Sequence, residues 1–173
     1  MGWAGSLWDD GGVYISAKVD YAVRVLLALA AAPGGAAMTG EILATAEGLP
    51  VKFVENTLVE LRRAGVVTSQ RGPEGGYRLA RPAEEIQVAD IFRVLEGPLA
   101  EVRGCRPEDV VYQGPAAHLQ PVWVAVRAAL RLVLESVTLA DILSGELPRP
   151  VADLLATPDA WERRKTGPVR PGG

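Results

Sequence analysis

A single cysteine, Cys105, and a single histidine, His118, are all that the 173-residue chain offers of two residue types that build disulfides, zinc cages and proton relays. One thiol excludes an intramolecular disulfide framework, and the pair excludes zinc-finger spacing. A reducing, cytoplasmic setting fits that scarcity. Long hydrophobic runs are also missing: the most apolar stretch, Val25 to Ala32, is far too short to span a bilayer. The N-terminal stretch shows no basic start followed by an apolar segment and a small-residue cleavage site, so no secretory signal is read. No G-x-S-x-G elbow, phosphate loop or H-E-x-x-H is present, and the expectation is that the chain is not an enzyme. No internal repeat is visible.

Nor is there an overall excess of positive charge, since the net charge is -3. Its placement is uneven. Tyr14 to Arg81 holds eight Lys/Arg against six Asp/Glu, which leaves that part at +2 and the remainder at -5. A basic N-terminal part suits a polyanion, and the acidic part has some other task. With 49% hydrophobic and 23% charged residues the chain can bury a core.

Residues 1–13, glycine-rich around Trp3 and Trp8, have no periodicity and read as a flexible extension; the two Trp could alternatively dock on a partner. Ser16 is a plausible N-cap for a helix through Ala32, with Val19, Ala22, Val23, Leu26, Leu27 and Ala30 at helical spacing. Pro33-Gly34-Gly35 ends it. Thr39 can cap a short second helix with Ile42, Leu43 and Ala46 inward, and Gly48 supplies a turn. Pro50 suits the first position of a third helix, which carries Val51, Val54, Leu58 and Leu61 on one face and stops at Gly65. Two short helices joined by a Gly-containing turn form a helix-turn-helix.

Val66, Val67 and Thr68, then Tyr77, Arg78 and Leu79, read as two short strands across Arg71–Gly76, a wing directly after the third helix. Gly75 and Gly76 allow positive φ at its tip. Val88 to Glu96 predicts another helix, with Val88, Ile91, Phe92 and Leu95 apolar, and Leu99 to Ala116 reads as a loop. From about His118 to Val137 runs the longest predicted helix. Its stripe of Leu119, Val122, Val126, Leu130, Val133 and Val137 is broader than a small winged domain needs, which favours burial against the same helix of a second chain over intrachain core. Thr138 can cap a last segment ending at Gly145. The expected fold is mainly α with a β-hairpin wing: an extension over 1–13, a winged helix-turn-helix domain over 14–82, a linker helix, loop and dimerisation helix over 83–145, and a tail over 146–173.

A helix that enters a major groove exposes polar side chains near its N-terminus while its other face packs inward. Lys52, Phe53, Glu55 and Asn56 hold those positions. Lys52 suits phosphate or guanine, Asn56 adenine and Glu55 cytosine, while Phe53 could touch a thymine methyl or complete the core. Arg62 and Arg63 lie further along, nearer the DNA backbone. Arg71 at the wing tip can enter a narrow minor groove, with Arg78 supporting it at the phosphates. Each residue taken singly is also explained as a solvated surface position.

The runs Tyr14–Arg24, Leu49–Glu55 and Leu61–Val67, the stretch Gln70–Leu79, and then Val88–Ile91 and Glu96–Pro98 closely resemble the Rrf2 family of bacterial transcription regulators over roughly residues 14–145. The Arg-Gly-Pro-x-Gly-Gly-Tyr wing is the most specific piece. The resemblance implies a homodimer on a palindromic operator in double-stranded DNA, generally as a repressor, with Lys52, Phe53, Glu55 and Arg71 matching DNA-contacting positions. Many such regulators respond to iron-sulfur status, nitric oxide, redox state or cysteine metabolism.

Cluster-binding members usually carry three cysteines in the loop before the dimerisation helix, where this chain has only Cys105. A cluster takes about four ligands. Asp20 matches a carboxylate ligand of some relatives, and a dimer could pool Asp20, Cys105 and His118, but the single cysteine disfavours an iron-sulfur cluster and no cofactor is expected. Asp20 equally serves as a first-turn acid on the helix dipole. Arg103 and Arg106 flank Cys105 and would favour a thiolate switch, against the alternative of an ordinary loop thiol. A small-molecule or protein effector is left open, as is the alternative of a protein-interaction module on the same fold.

Overall fold

The computed structural model describes residues 15–162. The extension with Trp3 and Trp8, Tyr14, and the tail beyond residue 162 lie outside the described residues. Within them, α1 (Ala17–Ala31), α2 (Gly40–Glu47) and α3 (Val51–Arg63) are followed by strands β1 (Val67–Gln70) and β2 (Gly76–Leu79), then α4 (Val88–Glu96), α5 (Gln120–Leu134), α6 (Leu139–Ser144) and α7 (Arg149–Leu155). None of these helices is long and apolar enough to cross a membrane.

The Ser16 hydroxyl caps α1 by accepting from the Val19 N–H at 3.2 Å, which satisfies one of the orphan donors of the first turn. The helix buries Val19, Ala22, Val25, Leu26 and Leu29. The inward stripe therefore runs through Val25 and Leu29, whereas Val23, Leu27 and Ala30 are half-buried. The cause is that α1 is the central helix, contacted by α2, α3, α4 and α6, so no single face decides its burial. In α2, capped by Thr39 as expected, Leu43 and Ala44 are buried while Ile42 and Ala46 are exposed. A helix this short touches the core with barely one turn. In α3, Val54, Thr57, Leu58 and Leu61 face inward and Val51 is exposed.

The wing pairs Val67 with Leu79, Thr68 with Arg78, Ser69 with Tyr77 and Gln70 with Gly76. A third extended residue joins it. The Met38 N–H donates to the Tyr77 carbonyl at 2.9 Å, and the Tyr77 N–H to the Met38 carbonyl at 2.8 Å. Gly76, at φ +148°, lies so close to this crossing that a Cβ would sit 2.5 Å from the Met38 carbonyl carbon. Gly75 is required for a different reason than positive φ: a Cβ there would stand 2.5 Å from the Gln70 carbonyl oxygen. Positive φ in the wing is found at Gly76, as expected, and at Gly72, at +113°.

Ile86 and Ile91 from the α4 region and Leu139 from α6 share one core with Leu26, Leu58 and Leu61. The division expected at residue 82 is thus no break in packing. The tail expected from 146 onward begins with α7, which buries Val151.

Helix α5 is shorter than its apolar pattern. His118 and Leu119 precede it, and Val137 lies beyond its end. It has 15 residues, the same length as α1. Val137 is 7% exposed, and its carbonyl accepts the Val88 N–H at 2.9 Å. Its assignment to a dimer surface is corrected: it belongs to its own chain's core.

Candidate nucleic-acid interface

The opposite faces of α3 differ completely. Val54, Leu58 and Leu61 are fully buried, while Lys52, Glu55, Asn56, Arg62 and Arg63 are exposed. Three contacts fix the angle at which that outer face is presented. Lys18 of α1 pairs with Glu60 at 2.9 Å. Arg24 of α1 donates to the Glu47 carbonyl and pairs with its carboxylate at 3.2 Å, gripping the C-terminal end of α2 just before the turn. Tyr21 and Phe53 meet edge to face, with ring centroids 5.3 Å apart and planes at 82°. Phe53 is half-buried, so its ring joins the α1–α3 contact and only part of it is left toward solvent.

Arg71 is exposed immediately after β1, and Arg78 is exposed on β2. Arg62 donates to the Ser69 hydroxyl at 3.3 Å, linking the end of α3 to β1. The helix and hairpin are therefore joined side by side, with cations on both. The helix end gives an order for the charges: Lys52 at the N-terminal turn, Arg62 and Arg63 at the last, Arg71 beyond.

Sequence reasoning identified the exposed residues and missed what holds them. Tyr21 and Arg24 lie between the apolar positions of α1, and their one signal is that they are large polar-tipped residues on a helix otherwise built of aliphatics. Met38 gave no signal, because a single bridging residue has no periodicity.

The outer face of α5 is apolar and uncovered. The helix contains no fully buried residue, and Val122, Val126 and Leu132 are 50%, 40% and 50% exposed. Leu119, Leu130 and Val133 are half-buried. Trp123 is half-buried too, and its indole N–H donates to the Tyr112 hydroxyl at 3.0 Å.

Asp20, Cys105 and His118 are all exposed, and among the described residues no three His, Cys, Asp or Glu side chains are grouped to hold a metal ion. Cys105 closes a tight turn with Val102, in which paired backbone bonds of 2.9 and 3.0 Å enclose Arg103 and Gly104, both at positive φ.

A helix-turn-helix with an adjoining hairpin, polar along the outer face of its third helix, defines the class of winged-helix DNA-binding transcriptional regulators. Residues 15–145 match the Rrf2 family model, described as an iron-dependent transcriptional regulator, and the chain belongs to that family. It is 46% identical over 158 residues to a Mycobacterium tuberculosis protein named as an HTH-type transcriptional regulator, covering 91% of this chain and 98% of that one. The Bacillus subtilis regulator CymR is 35% identical over 130 residues, covering 75% and 89%. Its solved structure, titled as the global cysteine regulator, superposes with a TM-score of 0.66 over 78% of this chain and 98% of CymR. The structure of T. potens IscR gives 0.63 at 35% identity, over 78% and 88%. The family description mentions iron, but one cysteine per protomer and, among the described residues, ungrouped oxygen and nitrogen donors do not fit a resident cluster, which takes about four ligands.

Proposed function

We propose that the protein acts as a homodimer on a palindromic operator in double-stranded DNA, as a repressor, with α3 in the major groove and the wing along the neighbouring minor groove. The observation that carries this reading is the two-sidedness of α3: a fully buried apolar face opposite exposed Lys52, Glu55 and Asn56, continued by exposed Arg71 on the hairpin. Lys52 and Asn56 supply groups that pair with guanine or phosphate and with adenine; Glu55 accepts from cytosine. Arg62, Arg63 and Arg78 supply phosphate contacts. Phe53 positions the helix through Tyr21 and offers its remaining edge to a thymine methyl.

Dimerisation is supported by the uncovered α5 face that carries exposed Val122 and Val126 one turn apart, because a patch of large aliphatics on one helix gains free energy when a second copy covers it. Half-buried Leu119, Leu130 and Val133 lie on the same face. No metal or cofactor takes part in this reading, and the protein works in the cytoplasm, where the DNA is.

The test is electrophoretic retardation of the promoter region of its own gene. The expected result is a shifted band of one dimer per inverted repeat, weakening steeply as salt rises. Absence of retardation at low salt would falsify the operator reading.

A further inference from the structure

Between the end of α4, the turn that follows it and the side of α5 lies a cleft of about 610 Å³. Four arginines line it, Arg93 from α4, Arg106 from the connecting segment, and Arg127 and Arg131 from α5, against only two carboxylates, Glu101 and Glu108. Bringing four guanidinium groups from three separate segments around one cavity leaves an excess of positive charge that the lining does not neutralise. Arg127 is the innermost, its side chain only 12% exposed, and it pairs with Glu108. The Glu108 carboxylate is 44% exposed, at the mouth. Arg93 and Arg131 share Glu135 from outside the cleft, Arg131 at a loose 3.7 Å. Arg106 makes no ion pair among the described residues. The Glu108 carboxyl is held below its ordinary range by its own backbone N–H, then by Arg127 and Arg106.

We propose that this cleft is an effector site for a small, multiply charged oxyanion, a compact di- or tricarboxylate or a phosphate, which binds Arg106, Arg127 and Arg131 and takes the place of the Glu108 carboxylate. Glu108 in this arrangement is the chain's own stand-in for the ligand. Planar guanidinium forks recognise carboxylate and phosphate bidentately, and a partly enclosed site strengthens such bonds. The route to the DNA-contacting face is short. Arg93 sits on α4, and α4 packs directly against α1 and α3, so a ligand that binds differently to two seatings of α4 biases the presentation of α3. This regulatory consequence rests on the operator reading above; the binding itself does not.

Isothermal titration of the full chain, without DNA and at constant ionic strength, separates the two. Citrate and inorganic phosphate are titrated in turn, with glycerol as an uncharged control. One of the two anions is expected to bind once per protomer with a Kd below about 1 mM, and which one does so tells carboxylate from phosphate. The double variant Arg106→Ala, Arg131→Ala removes two exposed side chains and is expected to weaken that Kd at least about tenfold, while Arg149→Ala, on exposed α7, leaves it unchanged. Binding weaker than this by both anions, or equal loss in Arg149→Ala, overturns the site. Saturating anion is then expected to change affinity for the retarded promoter fragment at least about fivefold; an unchanged affinity overturns the coupling and leaves the site standing.

Discussion

The ring of Tyr21 stands edge-on to the ring of Phe53, 5.3 Å between centroids, and so ties the central helix α1 to the first turn of α3. The contact falls beside Lys52, the exposed cation of that first turn. A double-mutant cycle of Tyr21→Leu and Phe53→Leu is expected to show a coupling of about 0.5–1.5 kcal/mol in urea unfolding. No coupling would mean the rings touch without holding the helix.

Gly76→Ala is expected to be severe. The new Cβ would meet the Met38 backbone at 2.5 Å in a strand crossing that cannot yield without breaking two hydrogen bonds. Gly48→Ala provides the comparison, because that residue also has positive φ but open space around it. Its cost should be about 1 kcal/mol, and that of Gly76→Ala clearly larger. Similar urea midpoints for the two would refute the close-approach argument.

On DNA, Lys52→Ala and Arg71→Ala should differ in kind. Removing a phosphate-contacting charge reduces the slope of log K against log salt by about one, so a Lys52→Ala variant with an unchanged slope would place Lys52 on a base instead. Arg71→Ala is expected to weaken binding chiefly where A·T-rich minor grooves face the wing. Uniform loss across sequences would count against minor-groove entry.

Val122→Asp together with Val126→Asp should give a folded monomer by sedimentation equilibrium, since both side chains are exposed in the protomer. Val137→Asp should instead unfold the chain, at a cost of several kcal/mol for an unpaired buried charge. A dimer that survives the double substitution places the interface elsewhere.

Glu108 makes stability depend on acid. Its carboxyl titrates below the ordinary value of 4.5, so the folded state holds fewer protons than the unfolded one between those pKa values. The stabilisation is complete above pH 4.5 and is lost as pH falls through the folded pKa. Glu108→Gln should therefore lose less of its urea midpoint than the wild type when pH drops from about 5.5 to about 3. Parallel losses would show that the backbone N–H and Arg127 together add nothing for the charged carboxylate.

Much of the local structure around the candidate interface was legible in the sequence. Caps at Ser16, Thr39 and Thr138 are local chemistry, satisfied within three residues, and all three appear. The exposed positions of α3 follow from helical spacing once its inner face is known. The α5 stripe, by contrast, was read as one dimer surface although the protomer itself covers it unevenly: Val122 and Val126 are exposed, Leu130 and Val133 half-buried, and Val137 leaves the helix altogether. Apolar spacing records that a residue is buried by something, without recording which chain does it.

The sequence by itself determined the order of helices, the hairpin and the charged residues placed on them, because periodicity, capping and turn chemistry act over a few neighbouring positions. Tertiary structure alone decided that Met38 completes the wing, that Val137 is core, and that Arg93, Arg106, Arg127 and Arg131 surround one cleft. Those relations join residues tens of positions apart, and they arise only when packing against α1 fixes where each element lies.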